Sequence, residues 1–201
     1  MNHATVEETL DLLDWKRRVF ALYAEIRATS EPEQAWARWQ QVRAELFQDH
    51  PQSPLPGYDK LAYFPYDPAL RFLAEVVDAE PERRAIGSSG DEPVLFTRFA
   101  TAHFADHTLD LFWLDAYAGG LFMPFRDETS GSESYGGARY LLDTVKGADL
   151  GTVGGRLVLD FNFAYNPSCA YNPKWVCPLS PPANKLPIAV RAVERLSSSG
   201  G

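Results

Sequence analysis

Residues 160–191 constrain the fold of this chain more than any other stretch. They contain six prolines, four asparagines and five aromatic residues. Proline fixes the backbone torsion φ and removes an N–H donor, so the stretch is predicted to be neither a helix nor a central strand. Its aromatic side chains require burial. We therefore expect a rigid loop over residues 164–187 that folds back onto the protein, either to carry a site or to plug one end of a core.

Composition and charge define the class of protein. The chain has 201 residues, of which 45% are hydrophobic and 23% charged, as in ordinary globular proteins. We expect one globular domain over residues 1–196 and a flexible tail over residues 197–201. A net charge of −8 argues against binding to nucleic acids or to anionic membranes. No basic-then-apolar signal and no membrane-length apolar run is present, so a cytoplasmic location with reduced cysteines is expected.

Residues 1–49 have the pattern of a helical hairpin. Apolar residues recur at three- and four-residue steps over residues 6–27 and again over residues 32–47. Ser30 and Glu33 have the spacing of a capping box for the second helix. Three tryptophans on these helices are predicted to pack against a sheet: Trp15, Trp36 and Trp39.

The remainder of the chain is predicted to be mostly β. Residues 50–70 are rich in proline and are expected to cross the domain in an extended conformation. Apolar alternation and short turns then follow without a strand–helix–strand rhythm. The predicted strands cover residues 71–77, 94–100, 108–117, 121–125, 139–145 and 156–163, with a bend at 101–106. We predict an α+β fold, in which a mainly antiparallel β-meander curls into a barrel or barrel-like sheet with the two N-terminal helices packed on it.

The polar residues near the end of the last predicted strand form the first candidate site. Asp160 and Asn162 alternate on one strand face, and burial there would raise the pKa of Asp160 and suit it to acid–base catalysis. Arg139 has two parallel donors that can hold a carboxylate or a phosphate. The alternative for Arg139 is an ion pair with Asp127 or Asp160 that pins the loops.

The cysteines and histidines provide weaker candidates. Cys169 is a second candidate for catalysis, as a nucleophile, although a buried inert thiol is the simpler interpretation of both Cys169 and Cys177. His103 and His107 are four residues apart but lack further ligands, so neither a metal nor another cofactor is expected. The other candidate ligand-binding residues are Asp127, Tyr135, Asn162, Asn166 and Asn184.

Three segments carry a resemblance to a known family. They read SPLPGYDKLAYFPYDPALRF, FMPFRDETSGSESYGGARYLLD and DFNFAYNPSCAYNPKWVCPLSPPANKLPIAV. Together they resemble a bacterial and archaeal family known only as a conserved domain of unknown function. The resemblance implies two groups of motif residues: Asp127, Thr129, Gly131, Tyr135, Arg139 and Tyr140, then Asp160, Asn162, Asn166, Cys177, Pro178 and Asn184. Where that family usually has Gly-Glu, this chain has Val193 and Glu194, which argues against a special backbone role there.

Two classes of function fit these observations. The first is a small-molecule-binding domain or enzyme that acts on a polar or anionic ligand at the open end of the barrel. The second is a noncatalytic interaction module that uses the proline- and aromatic-rich loop as its docking surface. A concave site with an inward-facing carboxylate or arginine would favour the first, and a flat, exposed loop would favour the second.

Overall fold

The predicted α+β architecture is confirmed. The computed structural model describes residues 5–57, 61–117 and 119–195, so the predicted tail lies outside the described residues. Two helices pack on a curled antiparallel sheet of seven strands that forms a half-barrel. The helices are α1 (Val6–Ala28) and α2 (Pro32–Asp49), and the strands are β1 (Arg71–Ile86), β2 (Val94–Phe104), β3 (His107–Leu114), β4 (Leu121–Phe125), β5 (Arg139–Asp143), β6 (Thr152–Val153) and β7 (Arg156–Asp160).

The helix ends show one correction. At the start of α1, the Thr5 hydroxyl accepts from Glu8 N at 3.1 Å and the Glu8 carboxylate accepts from Thr5 N at 2.7 Å. The capping box predicted at Ser30 is wrong, because the residue that caps α2 is Glu31 and its side chain makes no capping hydrogen bond. Pro32 occupies the first helical position, so the cap falls one residue after Ser30.

The sheet has the order β5-β4-β3-β2-β1-β7-β6, with every neighbouring pair antiparallel. Strands β1 to β5 form the predicted meander, and β7 returns to the other side of β1. Several strand bounds differ from the prediction. Strand β1 continues to Ile86, β3 and β5 end earlier than expected at Leu114 and Asp143, and the short β6 was not predicted. Strand β2 continues to Phe104 through the expected bend, and β7 ends at Asp160, where a 3-10 turn over Phe161–Phe163 begins.

The main core lies between the helices and the sheet. Trp39 is fully buried in it and donates to the Tyr23 hydroxyl at 3.2 Å, and Trp36 packs at its margin. Trp15 instead lies against Phe47 and His50 at the end of α2. A second apolar cluster, which includes Phe96, Phe112, Phe122, Tyr140 and Cys177, packs separately from this core.

The loop over residues 164–187 is fastened to the sheet. Tyr165 exchanges two backbone hydrogen bonds with Tyr140 of β5, at 2.9 and 3.0 Å, so the chain leaving β7 reaches the opposite edge strand. Further along, Leu186 N donates to Arg126 O at 2.8 Å. The crossing segment is held in a similar way, since Phe64 N donates to Val193 O at 2.8 Å. None of the described helices has the length and apolar composition needed to cross a membrane.

Candidate functional site

Arg139 lies in a buried ionic network, although its Nε has no hydrogen-bond partner among the described residues. Its Nη2 donates to Asp127 Oδ1 and to Val190 O, both at 2.9 Å, and its Nη1 donates to Ala192 O at 2.7 Å. Neither charged side chain of the pair is exposed to solvent. Burial lowers the pKa of Arg139, and the Asp127 carboxylate opposes that shift. Both terminal nitrogens thus bind protein oxygens, which is the pinning arrangement that the sequence left open as an alternative to ligand binding.

Asn184 joins two strands from the side. Its Oδ1 accepts from Asp110 N at 2.9 Å, and its Nδ2 donates to Asp110 O at 3.0 Å and to Pro124 O at 2.8 Å. The amide therefore satisfies backbone groups of β3 and β4 from the loop, where it is fully buried. These contacts account for the amide without a ligand.

Asn162 makes the equivalent connection to the crossing segment. Its Oδ1 accepts from Asp67 N at 2.9 Å, and its Nδ2 donates to Asp67 O at 2.8 Å. The same Nδ2 also donates to Asp160 Oδ1 at 2.8 Å. Asp160 and Asn162 do meet, but not as alternate residues of one strand. They meet because Asp160 caps the 3-10 turn that contains Asn162.

A buried ionic group that the sequence analysis missed lies around Glu194. Arg43 of α2 forms an ion pair with its carboxylate, Tyr171 Oη donates to it at 2.6 Å, and Asn166 N donates to it at 2.8 Å. Burial, followed by Glu194, raises the pKa of Tyr171. The sequence signal for this group was the pair Val193 and Glu194, which stands where the related family usually has Gly-Glu. Val193 has φ of 69°, so the backbone keeps the left-handed conformation that glycine favours, contrary to our expectation.

Asp160 also has a buried atom that is not satisfied, and this atom is a carboxylate oxygen. Oδ1 accepts from Asn162 N at 3.0 Å, whereas Oδ2 has no hydrogen-bond partner in the described part of the chain. Its ion-pair partner, Arg71 Nε, lies 3.7 Å away. The Tyr66 hydroxyl lies beside the same carboxyl and acts to lower the pKa of Asp160. Asp160 is only 1% exposed, and this burial raises its pKa against the opposing effect of Asn162.

The unpaired oxygen belongs to a residue that lines an open cavity of about 330 Å³, which we call the Asp160 cleft. The cleft lies between the α1–α2 connection and the β6–β7 hairpin. Arg27 reaches it beside Gly151, whose φ is +75° and whose absent Cβ would lie 3.1 Å from Arg27 Cδ. The lining residues are Ile26, Arg27, Thr29, Ser30, Pro32, Ala35, Arg71, Leu150, Gly151, Thr152, Val153, Val158, Asp160 and Phe163.

Cys169 and Tyr135 lie together, away from the lining of the Asp160 cleft. The Tyr135 hydroxyl is 3.6 Å from Cys169 Sγ, and Cys169 is partly exposed while Cys177 is buried. The structure thus distributes the predicted site residues over several places rather than one mouth. Among the described residues, no group of three or more His, Cys, Asp or Glu side chains is placed to hold a metal ion.

Comparisons with known proteins show which family this is. A solved solution structure of an uncharacterised protein from Haloarcula marismortui is similar to the chain, with 36% sequence identity and a TM-score of 0.56. The match covers 86% of this chain and all of that one. No curated protein matches. The family described as protein of unknown function DUF1684 matches residues 56–195. The chain therefore belongs to the DUF1684 family.

Proposed function

We propose that the chain binds a small polar molecule in the Asp160 cleft. The observation that carries this proposal is Oδ2 of Asp160. This buried carboxylate oxygen of a cleft-lining residue has no hydrogen-bond partner among the described residues. Buried polar groups in proteins are nearly always hydrogen-bonded, because an unmade hydrogen bond costs about 1–3 kcal/mol. A ligand hydroxyl or amino group would supply the missing donor.

The charges around the cleft favour a ligand that also carries an acid group. Arg27 and Arg71 both line it, against the single carboxylate of Asp160. Arg27 is partly neutralised, since it donates to Asp149 O at 2.6 Å and lies 3.9 Å from the Asp149 carboxylate. Arg71 has about a third of its side chain exposed. A carboxylate or phosphate facing Arg71, with a hydroxyl or amino group towards Asp160, satisfies both charges.

If the chain is an enzyme, Asp160 is the residue to which we assign acid–base catalysis. Burial moves its pKa upward, in the direction of neutral pH where a carboxyl can both hold and release a proton. Asn162 keeps the carboxyl in one orientation through Oδ1, which leaves Oδ2 as the atom for proton transfer.

The proposal is favoured over a docking surface by the position of the proline- and aromatic-rich loop. Tyr165 and Trp175 pack against the second apolar cluster, and Phe163 is buried in the main core. The exposed positions of the loop are residues 173–174, Val176, which is 61% exposed, residues 182–183, Lys185 and Pro187. Buried or half-buried residues separate them, so they form no single large apolar patch of the kind that marks a docking surface.

A thermal-shift screen tests the proposal. Purified protein would be heated with hydroxy acids, amino acids and sugar phosphates, because a ligand that binds only the native state raises the melting temperature. We expect hits that combine an acid group with a hydroxyl or amino donor. A collection in which no such compound shifts the melting temperature would contradict the proposal.

Variants then locate the site. Arg71→Met should weaken binding of each acidic hit by about tenfold or more, because the charge facing the ligand is lost. Arg83→Met is the matched control: it lies on the same strand, in an ion pair with Asp115 whose arginine side chain is 71% exposed. Equal weakening by the two variants would mean that general surface charge, and not the Asp160 cleft, attracts the ligand.

A further inference from the structure

Cys169, Cys177 and Tyr135 form a second group of side chains that can take part in chemistry, which we call the dithiol cluster. Cys169 lies on the short 3-10 turn Ser168–Ala170 and packs against the second apolar cluster, in which Cys177 is buried. The Tyr135 hydroxyl is 3.6 Å from Cys169 Sγ, and Cys177 belongs to the same apolar cluster on which Cys169 packs. Both cysteines are free, so the pair is in its dithiol form.

The chain holds each member of the cluster in place. Cys177 N donates to Ser89 Oγ at 3.0 Å, and Ser89 N donates back to Cys177 O at 2.9 Å. Tyr135 is positioned through Gly137, since a Cβ there would lie 2.7 Å from the tyrosine ring. Any larger residue at 137 would have to displace the phenol. Two separate restraints therefore hold the Tyr135 hydroxyl and the Cys177 thiol near Cys169, which is partly exposed.

We propose that Cys169 and Cys177 are a peroxide-reactive dithiol, in which Cys169 attacks a hydroperoxide and Cys177 resolves the product as an intramolecular disulfide. In the first step, the Cys169 thiolate attacks the terminal peroxide oxygen. An S–O bond forms, the O–O bond breaks, and the leaving alkoxide takes up a proton to become an alcohol. Sulfur loses two electrons to give the sulfenic acid, and the peroxide gains them.

In the second step, the Cys177 sulfur attacks the sulfenic sulfur of Cys169. The S–S bond forms, the S–O bond breaks, and the departing hydroxide takes the Cys177 proton and leaves as water. A small dithiol then restores both thiols by exchange. The phenol of Tyr135 is a positioning residue in this scheme, because it donates a hydrogen bond to the attacking sulfur and does not itself change oxidation state.

The environments of the two sulfurs fit this division of roles. The Cys177 thiol, and after it Tyr135 and Ser89, hold the pKa of Cys169 at about 6, against the effect of burial. The pKa of Cys177 is raised, first by Cys169 and then by burial, although Lys146 opposes the shift. Cys169 is thus the thiolate near neutral pH, and Cys177 stays protonated until it resolves.

Alkylation of the full-length reduced protein tests the assignment of the attacking thiol. The rate of Cys169 labelling by iodoacetamide should level off above a midpoint of about pH 6, whereas a free cysteine has its midpoint at about pH 8.5. Tyr135→Phe should move that midpoint upward while the fold, followed by circular dichroism, is unchanged. Faster labelling of Cys177, or an unshifted midpoint for Cys169 near that of free cysteine, would overturn the assignment.

Oxidation by stoichiometric hydrogen peroxide tests the disulfide. Wild-type protein should lose both thiols and show a Cys169–Cys177 peptide by mass spectrometry, reversed by dithiothreitol. Cys177→Ser should instead accumulate a sulfenic acid on Cys169 that dimedone traps, and Cys169→Ser should consume no peroxide. If Cys177→Ser fails to fold, Cys177→Ala serves in its place. Intermolecular disulfides only, or oxidation that stops at Cys169 in wild type, would refute the proposal.

Discussion

At the scale of single residues, buried charge decides which substitutions matter for stability. Arg139 and Asp127 are completely buried and face each other at 2.9 Å. Removing one charge from such a pair leaves the other without compensation in a medium that cannot solvate it. The pair therefore holds two loops in position. Its loss should lower the free energy of unfolding.

Arg139→Met should destabilise the protein by about 3–5 kcal/mol in urea unfolding, since Asp127 is left buried and unpaired. The control is Arg191→Met, which breaks the exposed Arg191–Glu133 pair and should cost less than about 1 kcal/mol. Similar small losses for both variants would show that the Asp127 carboxylate is not dependent on Arg139.

The pH dependence of stability should identify the burial of Asp160. Because burial raises its pKa above the usual 3.8, the folded carboxyl retains a proton that the unfolded one has released just above that pH. Wild-type stability therefore falls as the pH rises through this window, up to the folded pKa. Asp160→Asn cannot ionise and should lack this fall, so it should be the more stable protein at neutral pH. Urea unfolding across this range provides the measurement, and a variant that is less stable throughout would contradict the expected sign.

The left-handed backbone at Val193 should reverse the usual order of stability between alanine and glycine variants. Alanine is usually more favourable than glycine by about 0.5–1 kcal/mol within regular structure. At φ of 69° a Cβ carries a cost of about 1–2 kcal/mol, so Val193→Gly should be more stable than Val193→Ala although it removes more of the side chain. Chemical denaturation of the two variants side by side measures the order, and a more stable alanine variant would mean that no strain is stored there.

At the scale of elements, the side chains of buried asparagines form hydrogen bonds with strand backbone groups, as a neighbouring strand would. Asn184→Ala leaves the Asp110 N–H, the Asp110 carbonyl and the Pro124 carbonyl without their partner. We expect a loss of about 3 kcal/mol of unfolding free energy and faster hydrogen exchange at Asp110. Asn172→Ala is the control, because the Asn172 side chain accepts only from the nearby Lys174 N–H among the described residues. Normal exchange protection at Asp110 in the Asn184 variant would show that the strands hold without this connection.

The elements also show how far sequence patterns reach. Periodicity predicted the two helices and the meander, because both follow from the spacing of apolar residues along a single element. It did not predict that β7 would return to pair with β1, since that choice depends on contacts between distant segments. The ends of the elements were predicted less well, because they depend on local turn geometry. Pro32 places the cap of α2 one residue later than expected, and Asp160 ends β7 early by capping the 3-10 turn.

The candidate site was predictable in its residue types and less so in its geometry. The sequence pointed to Asp160 as a buried carboxylate, which agrees with its 1% exposure. The sequence also predicted that Arg139, Asn162 and Asn184 lie at the same site, yet each of these side chains makes hydrogen bonds to protein groups. Polar residues that hold loops in place and polar residues that bind ligands are of the same types, so the sequence does not separate them. Arg139 Nε and Asp160 Oδ2 both lack partners among the described residues, but only Asp160 lines the cleft.

At the scale of the whole molecule, the Asp160 cleft exists only where two layers meet. Arg27 and Ser30 come from the helical hairpin, whereas Arg71 and Asp160 come from the sheet. The region matched by the family begins at residue 56, so the helical wall lies outside it and the sheet wall lies within it. The docking of the helices on the half-barrel therefore both covers the core and completes the cleft.

The most direct test of this account is calorimetric binding of one acidic screening hit to Asp160→Asn and Arg139→Met, each measured below its melting temperature. If Oδ2 of Asp160 is the ligand contact and Arg139 a structural group, Asp160→Asn should fold normally and bind at least about tenfold more weakly. Arg139→Met, or Arg139→Lys if it does not fold, should be less stable but bind with wild-type affinity. Normal binding by Asp160→Asn together with lost binding by a folded Arg139 variant would contradict the account and place the ligand at the arginine.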